Sequence, residues 1–256
     1  VSASCGSSWR RSTAIAAWEA RSTRARKRCP TTKPTVARAS ALYARAETFA
    51  RQRGANRITA AYFDRPEAAP TRDFLFHRGF VPFERYHPSH LDLTAFDPAA
   101  FADAIARLEQ QGFRLFTYAE VGDSEDHRRR LYDLESATRS VQPFREIGDY
   151  APPAFATWEA DMAQWSQETI FLAAAPDGAW VGVITGLEWG FTGVHPDWQG
   201  RGIATALKVR SLAVAKAQGM EQMQTENHED NAAMLAINRK LGFVMDPVEV
   251  NCVRRL

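Results

Sequence analysis

Val194-His195-Pro196-Asp197-Trp198-Gln199-Gly200-Arg201-Gly202-Ile203-Ala204-Thr205-Ala206-Leu207 reads as a strand that passes through a tight turn into a helix opening on small residues. The first turn of a helix carries backbone N–H groups with no partner inside the helix, and the summed peptide dipoles place about half a positive charge there. An anion fills that gap. Gly200 and Gly202 remove Cβ atoms that would hold a diphosphate away, and they allow turn dihedrals that other residues resist. Beyond the turn, Ile203, Ala206, Leu207, Val214 and Ala217 recur at helical spacing. That spacing predicts a helix anchored on a core with its N-terminus free, and Gly219 stands where its stop is expected. Taken alone, a Gly-x-Gly turn is more often an ordinary strand-to-helix connection. No Lys-Ser or Lys-Thr follows it, as a P-loop requires, and no full G-x-G-x-x-G is present.

The surroundings add to the reading. Thr169 to Ala175, a turn at Pro176-Asp177-Gly178, and Trp180 to Ile184 form a predicted β-hairpin before the loop. Glu221 to Thr225 reads as the next strand, and Asn231 to Leu241 as a helix ending in Leu241-Gly242-Phe243. With these neighbours, the loop resembles the pyrophosphate loop of the GCN5-related N-acetyltransferases (GNAT), whose pattern [Q/R]-x-x-G-x-[G/A] is met by Gln199, Gly202 and Ala204. The resemblance covers residues 113–256. It implies an α/β (α+β) GNAT fold: a mixed, mostly antiparallel twisted sheet flanked by helices.

A second echo lies toward the N-terminus. Ala41 to Ala55 parallels the helix after the loop, Asn56 to Tyr62 the next strand, and Asp73 to Phe80 the Gly-Phe corner. Such self-similarity is the mark of an internal repeat. The expected organisation is a basic leader at 1–35, a partial GNAT domain at 36–95, a linker helix at 96–112 and a complete GNAT domain at 113–256. Asp97-Pro98 supplies the cap and first position of that linker helix. The arrangement resembles tandem acetyltransferases of the mycothiol synthase type, with the front half of the first copy missing. Residues 1–35 are rich in Arg, Ser, Thr and Ala, nearly free of acids and without apolar period. They fit an organelle transit peptide, a basic arm for nucleic acid, or an out-of-frame segment, the last being favoured because the repeat resumes in mid-domain where this composition ends.

Composition sets outer limits. No apolar run approaches the roughly 18 residues of a membrane span. Cys5, Cys29 and Cys252 are odd in number and scattered, which argues against disulfide frameworks and metal sites and suits a reducing cytoplasm. The net charge of +2 hides an asymmetry, since residues 1–57 carry 13 Lys or Arg against 2 Asp or Glu. That excess lacks interleaved aromatics, so no nucleic-acid partner is inferred from it; with no apolar span no membrane partner is expected, and the chain is read as a monomer or homodimer. His87 and His90 read as loop or surface groups, and no nucleophile elbow is visible.

The chemistry the resemblance implies is acetyl transfer from acetyl-CoA, as cosubstrate, to a small-molecule amine by direct attack on the thioester, with no metal. An alkylamine with a pKa of about 10 must shed a proton, whereas the leaving thiol has a pKa near 8.5, so the base matters more than the acid. By the resemblance, Val194, Gln199, Gly200, Arg201, Gly202, Ile203, Ala204 and Thr205 bind the cofactor, with a backbone N–H around Val194 holding the oxyanion. Asn238 occupies the position where many members carry a Tyr general acid, and Asn has no proton to give at neutral pH. Glu188 is the candidate base, acting through a water, or else a solvated strand-end carboxylate. Thr225 and Asn227 share one face by period-two alternation and can touch the acceptor. Asn231 is either a helix cap or a ligand to the cofactor arm. Trp158, Met162 and Trp165 lie on helices that border the acceptor site in the family, but at spacings of four and three they read first as core. The alternative function is a catalytically inactive CoA-binding or regulatory GNAT-like protein, and a defective gene product is the third reading.

Overall fold

The computed structural model describes residues 36–142, 151–187 and 190–256. The basic leader and Glu188 therefore lie outside the described residues. In chain order the elements are α1 (Val36–Gln52), β1 (Arg57–Phe63), α2 (Ala69–Phe76), β2 (Val81–Asp92), α3 (Ala102–Gln110), β3 (Arg114–Thr117), α4 (Tyr118–Val121) and α5 (Glu125–Arg139). They continue with α6 (Phe155–Met162), β4 (Ile170–Ala174), β5 (Trp180–Thr185), β6 (Phe191–Val194), α7 (Ile203–Ala217), β7 (Gln222–His228), α8 (Ala232–Lys240), β8 (Val244–Met245) and β9 (Glu249–Arg255).

The first sheet has the order β3-β4-β5-β6, antiparallel throughout. Every residue of β4 is buried, because helices cover both faces. On one face, Ile170, Leu172 and Val183 meet Leu131 and Leu134 of α5 and Trp158 and Met162 of α6. Trp158 and Met162 are thus core residues, as their spacing implied. On the other face, Phe171, Ala173 and Val181 meet Leu108 of α3 and Ile203 and Leu207 of α7. A Cβ on Gly182 would stand 2.7 Å from the Ile203 Cγ2 and 3.0 Å from the Leu207 Cδ1, so α7 rests directly on β5. Gly193 serves α5 in the same way, with Thr138 in the path of its missing side chain at 2.6 Å.

The second sheet crosses the boundary drawn at residue 113. Its order is β1-β9-β2-β7, with β8 also on β2. The C-terminal strand β9 lies between β1 and β2, pairing Val250 with Tyr62 on one side and with Arg85 on the other. In return, β2 pairs with β7 from Tyr86↔His228 to Asp92↔Gln222. Each segment lends a strand to the other, so the second sheet is built from both sides of residue 113. The apolar reason is plain: Val250 and Cys252 have no exposed surface and join Tyr62, Leu75 and Phe80 in one cluster.

His87 and His90, expected as loop or surface groups, are partly exposed but lie within β2 and not in a loop. Pro88 stands between them, and proline lacks the N–H a central strand needs. The Pro88 carbonyl accepts from the Asp246 N–H at 2.9 Å, so its N points to the same edge. There the β9 pairing ends at Tyr86 and the β8 pairing begins at Ser89. The missing donor falls in that gap. His90 Nδ1 is 3.0 Å from an Asp246 carboxylate oxygen across it.

Among the described residues no helix is long and apolar enough to cross a membrane.

Candidate functional site

The loop that ends β6 has the geometry of an anion cradle. Pro196–Trp198 forms a single 3-10 turn, followed by Gly200 at φ +75° and Gly202 at φ +87°. These left-handed dihedrals are what the glycines supply; a Cβ at either position meets nothing within 4 Å. The space beside them is open to a ligand. The first bond of α7 runs from the Ala206 N–H to the Gly202 carbonyl at 3.0 Å, leaving the amides of Ile203, Ala204 and Thr205 without an intrahelical acceptor. Ile203 is buried under β5 and offers only its amide. The Arg201 guanidinium stacks 4.8 Å from the centre of the Trp198 ring, which in turn packs edge-on against Phe113. The turn is thereby pinned to the first sheet.

The edge of β6 beyond this cradle is free. The His195 N–H donates to the Val181 carbonyl at 2.8 Å, which makes 195 and 181 a hydrogen-bonded pair. By antiparallel alternation, the N–H and C=O of Val194 and of Thr192 turn away from β5. No strand pairs with that edge among the described residues, because β7, the next strand, belongs to the other sheet. Side-chain amides reach only the carbonyls: Gln199 Nε2 donates to Val194 at 3.3 Å and Gln142 Nε2 to Thr192 at 3.4 Å. Gln199 thus acts on the strand as well as preceding the glycines.

Under the gap between β6 and β7 runs α7. Its face there carries Lys208, which sequence reasoning passed over, and a small cavity is lined by Lys208, Ser211, Thr192, Gln224, Thr225 and Phe243 among others. Lys208 is buried, and burial holds its amine at about 8, well below the usual lysine range. Its Nζ lies 5.5 Å from the centre of the Phe243 ring. The helical periodicity held a clue: Lys208, Ser211, Leu212 and Ala215 share a stripe that is buried along its length.

Of the remaining sequence candidates, Thr225 and Asn227 share a face of β7, being paired opposite Ser89 and His87 of β2. Thr225 lines the cavity, and Asn227 is held by Asn238 of α8, whose Nδ2 donates to the Asn227 Oδ1 at 2.6 Å. Asn238 has no exposed surface and its Oδ1 has no donor among the described residues. Asn231 caps α8, its Oδ1 accepting from the Met234 N–H at 3.2 Å. The structure therefore brings β6, α7, β7 and α8 around one cleft. On the far side of the first sheet, Trp158 Nε1 donates to the buried Glu135 carboxylate at 2.6 Å, and Arg139 lies 3.9 Å from the centre of the Phe191 ring. Among the described residues no group of three or more His, Cys, Asp or Glu is placed to hold a metal.

Residues 138–243 match the acetyltransferase (GNAT) family. That stretch contains β6, the glycine turn, α7, β7 and α8. Among solved structures, a GCN5-related N-acetyltransferase from Sphaerobacter thermophilus is 18% identical with a TM-score of 0.64, over 85% of this chain and 67% of that one. A tandem GNAT protein from the clavulanic acid biosynthesis pathway is 21% identical with a TM-score of 0.62, over 87% and 71%. A GCN5-related glucosamine N-acetyltransferase region of a fungal multi-domain GH3 β-N-acetylglucosaminidase is 13% identical with a TM-score of 0.60, over 82% of this chain and 27% of that one. At these identities the likeness is one of fold. The architecture is the GNAT fold: antiparallel sheets flanked by helices.

Proposed function

We propose that the protein is an acetyl-CoA-dependent N-acetyltransferase acting on a primary amine of a small molecule in the cytoplasm. The observation that carries this reading is the juxtaposition of three acceptor-less amides at the start of α7 with the unpaired edge of β6. The amides of Ile203, Ala204 and Thr205 suit the diphosphate of CoA, with Gly200, Arg201 and Gly202 forming the turn around it. The free edge at Val194 suits the pantetheine amides, and its N–H is the donor for the oxyanion that forms when an amine attacks the thioester carbonyl. Breaking the C–S bond then releases the thiolate, and the amine nitrogen gives up its proton.

Glu188 is the proposed base for that proton, through a water, and Thr225 the proposed contact to the acceptor. Asn238 cannot protonate the thiolate, and its amide is already engaged with Asn227. This engagement is the one observation favouring the second reading, a CoA-binding or regulatory protein that does not turn over. Calorimetry with CoA and acetyl-CoA tests the shared premise, and Gly202→Glu should abolish binding by placing a carboxylate and a strained φ in the cradle. Free-thiol release across a panel of amines then separates the readings. Release with any amine excludes the inactive protein, and tight binding without release across the panel excludes the enzyme.

A further inference from the structure

Lys208 stands out among the buried groups that the proposed mechanism leaves unused. A buried ammonium is costly unless a partner and hydrogen bonds meet it. Here the described lining of its cavity offers Thr192, Ser211, Gln224 and Thr225 but no carboxylate, and no hydrogen bond or salt bridge reaches Nζ among the described residues. Among the described residues, the aromatic face of Phe243 at 5.5 Å is the group that attracts the cation. The cavity lies where β6 and β7 part, with Thr192 two residues before Val194 on the same free edge. With no anionic partner among the described residues, a lysine in that position has the chemistry of a receptor for a ligand's anion.

We propose that Lys208 binds a carboxylate carried by a ligand in the cleft between β6 and β7. The site takes this carboxylate from one of two sources: the distal end of a dicarboxylic acyl group on the thioester, or an amino-acid-like acceptor. Thr192 and Thr225 line the same cavity and carry neutral hydroxyls, a lining that suits a small carboxylate, whereas phosphate is provided for at the cradle. This inference rests on the acyl-transfer reading; the first source would replace the acetyl group of that reading with a dicarboxylic acyl group, and the second leaves it unchanged.

Matched probes separate the sources. Calorimetry compares succinyl-CoA with butyryl-CoA, which lacks the carboxylate, and β-alanine with propylamine in the presence of CoA. In the wild-type protein one of the two pairs should differ by about tenfold or more in Kd, the range of a charge-assisted hydrogen bond. Lys208→Met, similar in length and apolar, should keep CoA affinity and bring that ratio near one. Lys208→Arg retains the charge and guards against a packing artefact by keeping part of the preference. Equal affinities within both pairs, or a preference that survives in Lys208→Met, overturn the inference while leaving CoA binding intact. CoA that fails to bind the folded wild-type protein overturns the acyl-transfer reading and this one with it.

Discussion

Strands β4 and β7 run through the same molecule under opposite constraints. All five residues of β4 are buried, feeding Ile170 and Leu172 to one core and Phe171 and Ala173 to the other. In β7 only Met223 and His228 are buried, and the half-buried positions are Gln224, Thr225, Glu226 and Asn227. A strand covered by helices on both faces can be apolar throughout. A strand at the mouth of a cleft has to keep polar groups where a ligand reaches them, and it forgoes packing energy to do so. The comparison teaches that the buried centre of the first sheet is built for packing, while the strands that flank the cleft keep the polar groups on which the proposed chemistry depends.

The largest effect should come from the holding strand. Phe171 has no exposed surface and packs with Val181, Ile203 and Leu207. Phe171→Ala should cost about 3–5 kcal/mol in unfolding free energy, by lost transfer energy and the cavity left behind. Thr225→Ala in β7 should change stability by about 0.5 kcal/mol or less. Urea denaturation of the two variants gives the ratio directly. Comparable losses would dissolve the contrast between the strands.

The second effect has the opposite sign. The folded-state pKa of Lys208, about 8, lies below the 10.5 of an unperturbed lysine. Between those values the unfolded chain binds more protons than the folded one, so this group makes stability rise with pH from about 8 to about 10.5. Below pH 8 the burden is fully present, on the order of 3 kcal/mol. Lys208→Met should therefore melt higher than wild type at pH 7, with the advantage shrinking as pH approaches 10.5. A Met variant that melts lower at pH 7 would show that the ammonium is satisfied in the fold and would weaken the case for an outside anion.

These effects differ in how far they could be read from sequence. The helix stops were legible because each rests on a few adjacent residues. Gly79 at φ +77° and Gly242 at φ +91° end α2 and α8 with the same six-residue bond, Phe80 N–H to Leu75 and Phe243 N–H to Asn238. The hairpin at Pro176 to Gly178 and the cap at Asp97, whose Oδ1 accepts from the Ala99 N–H, are equally local. The strand exchange was not legible. Alternation around Val250 and Cys252 says only that one face of β9 is buried, not which strands, near or far in the chain, flank it. Lys208 was missed for a related reason: a lysine on a helix reads as solvated until the second sheet is known to cover its stripe.

The smallest effect separates the two readings of Asn231. Its Oδ1 accepts from the Met234 N–H at 3.2 Å, so the side chain is already used by the first turn of α8. Asn231→Ala should cost about 1 kcal/mol, the usual loss for an N-cap, and Asn231→Asp should keep most of it by restoring the acceptor. If capping is the whole of its role, neither variant changes the calorimetric Kd for CoA once folding is complete. A several-fold loss of CoA affinity in Asn231→Ala, with the fold intact, would move Asn231 from the helix to the cleft. It would also extend the chemistry-bearing edge beyond β7, since α8 supplies Asn238 to the same side through its bond to Asn227. A stability loss alone would leave α8 with the holding elements and confine the acting ones to β6, α7 and β7.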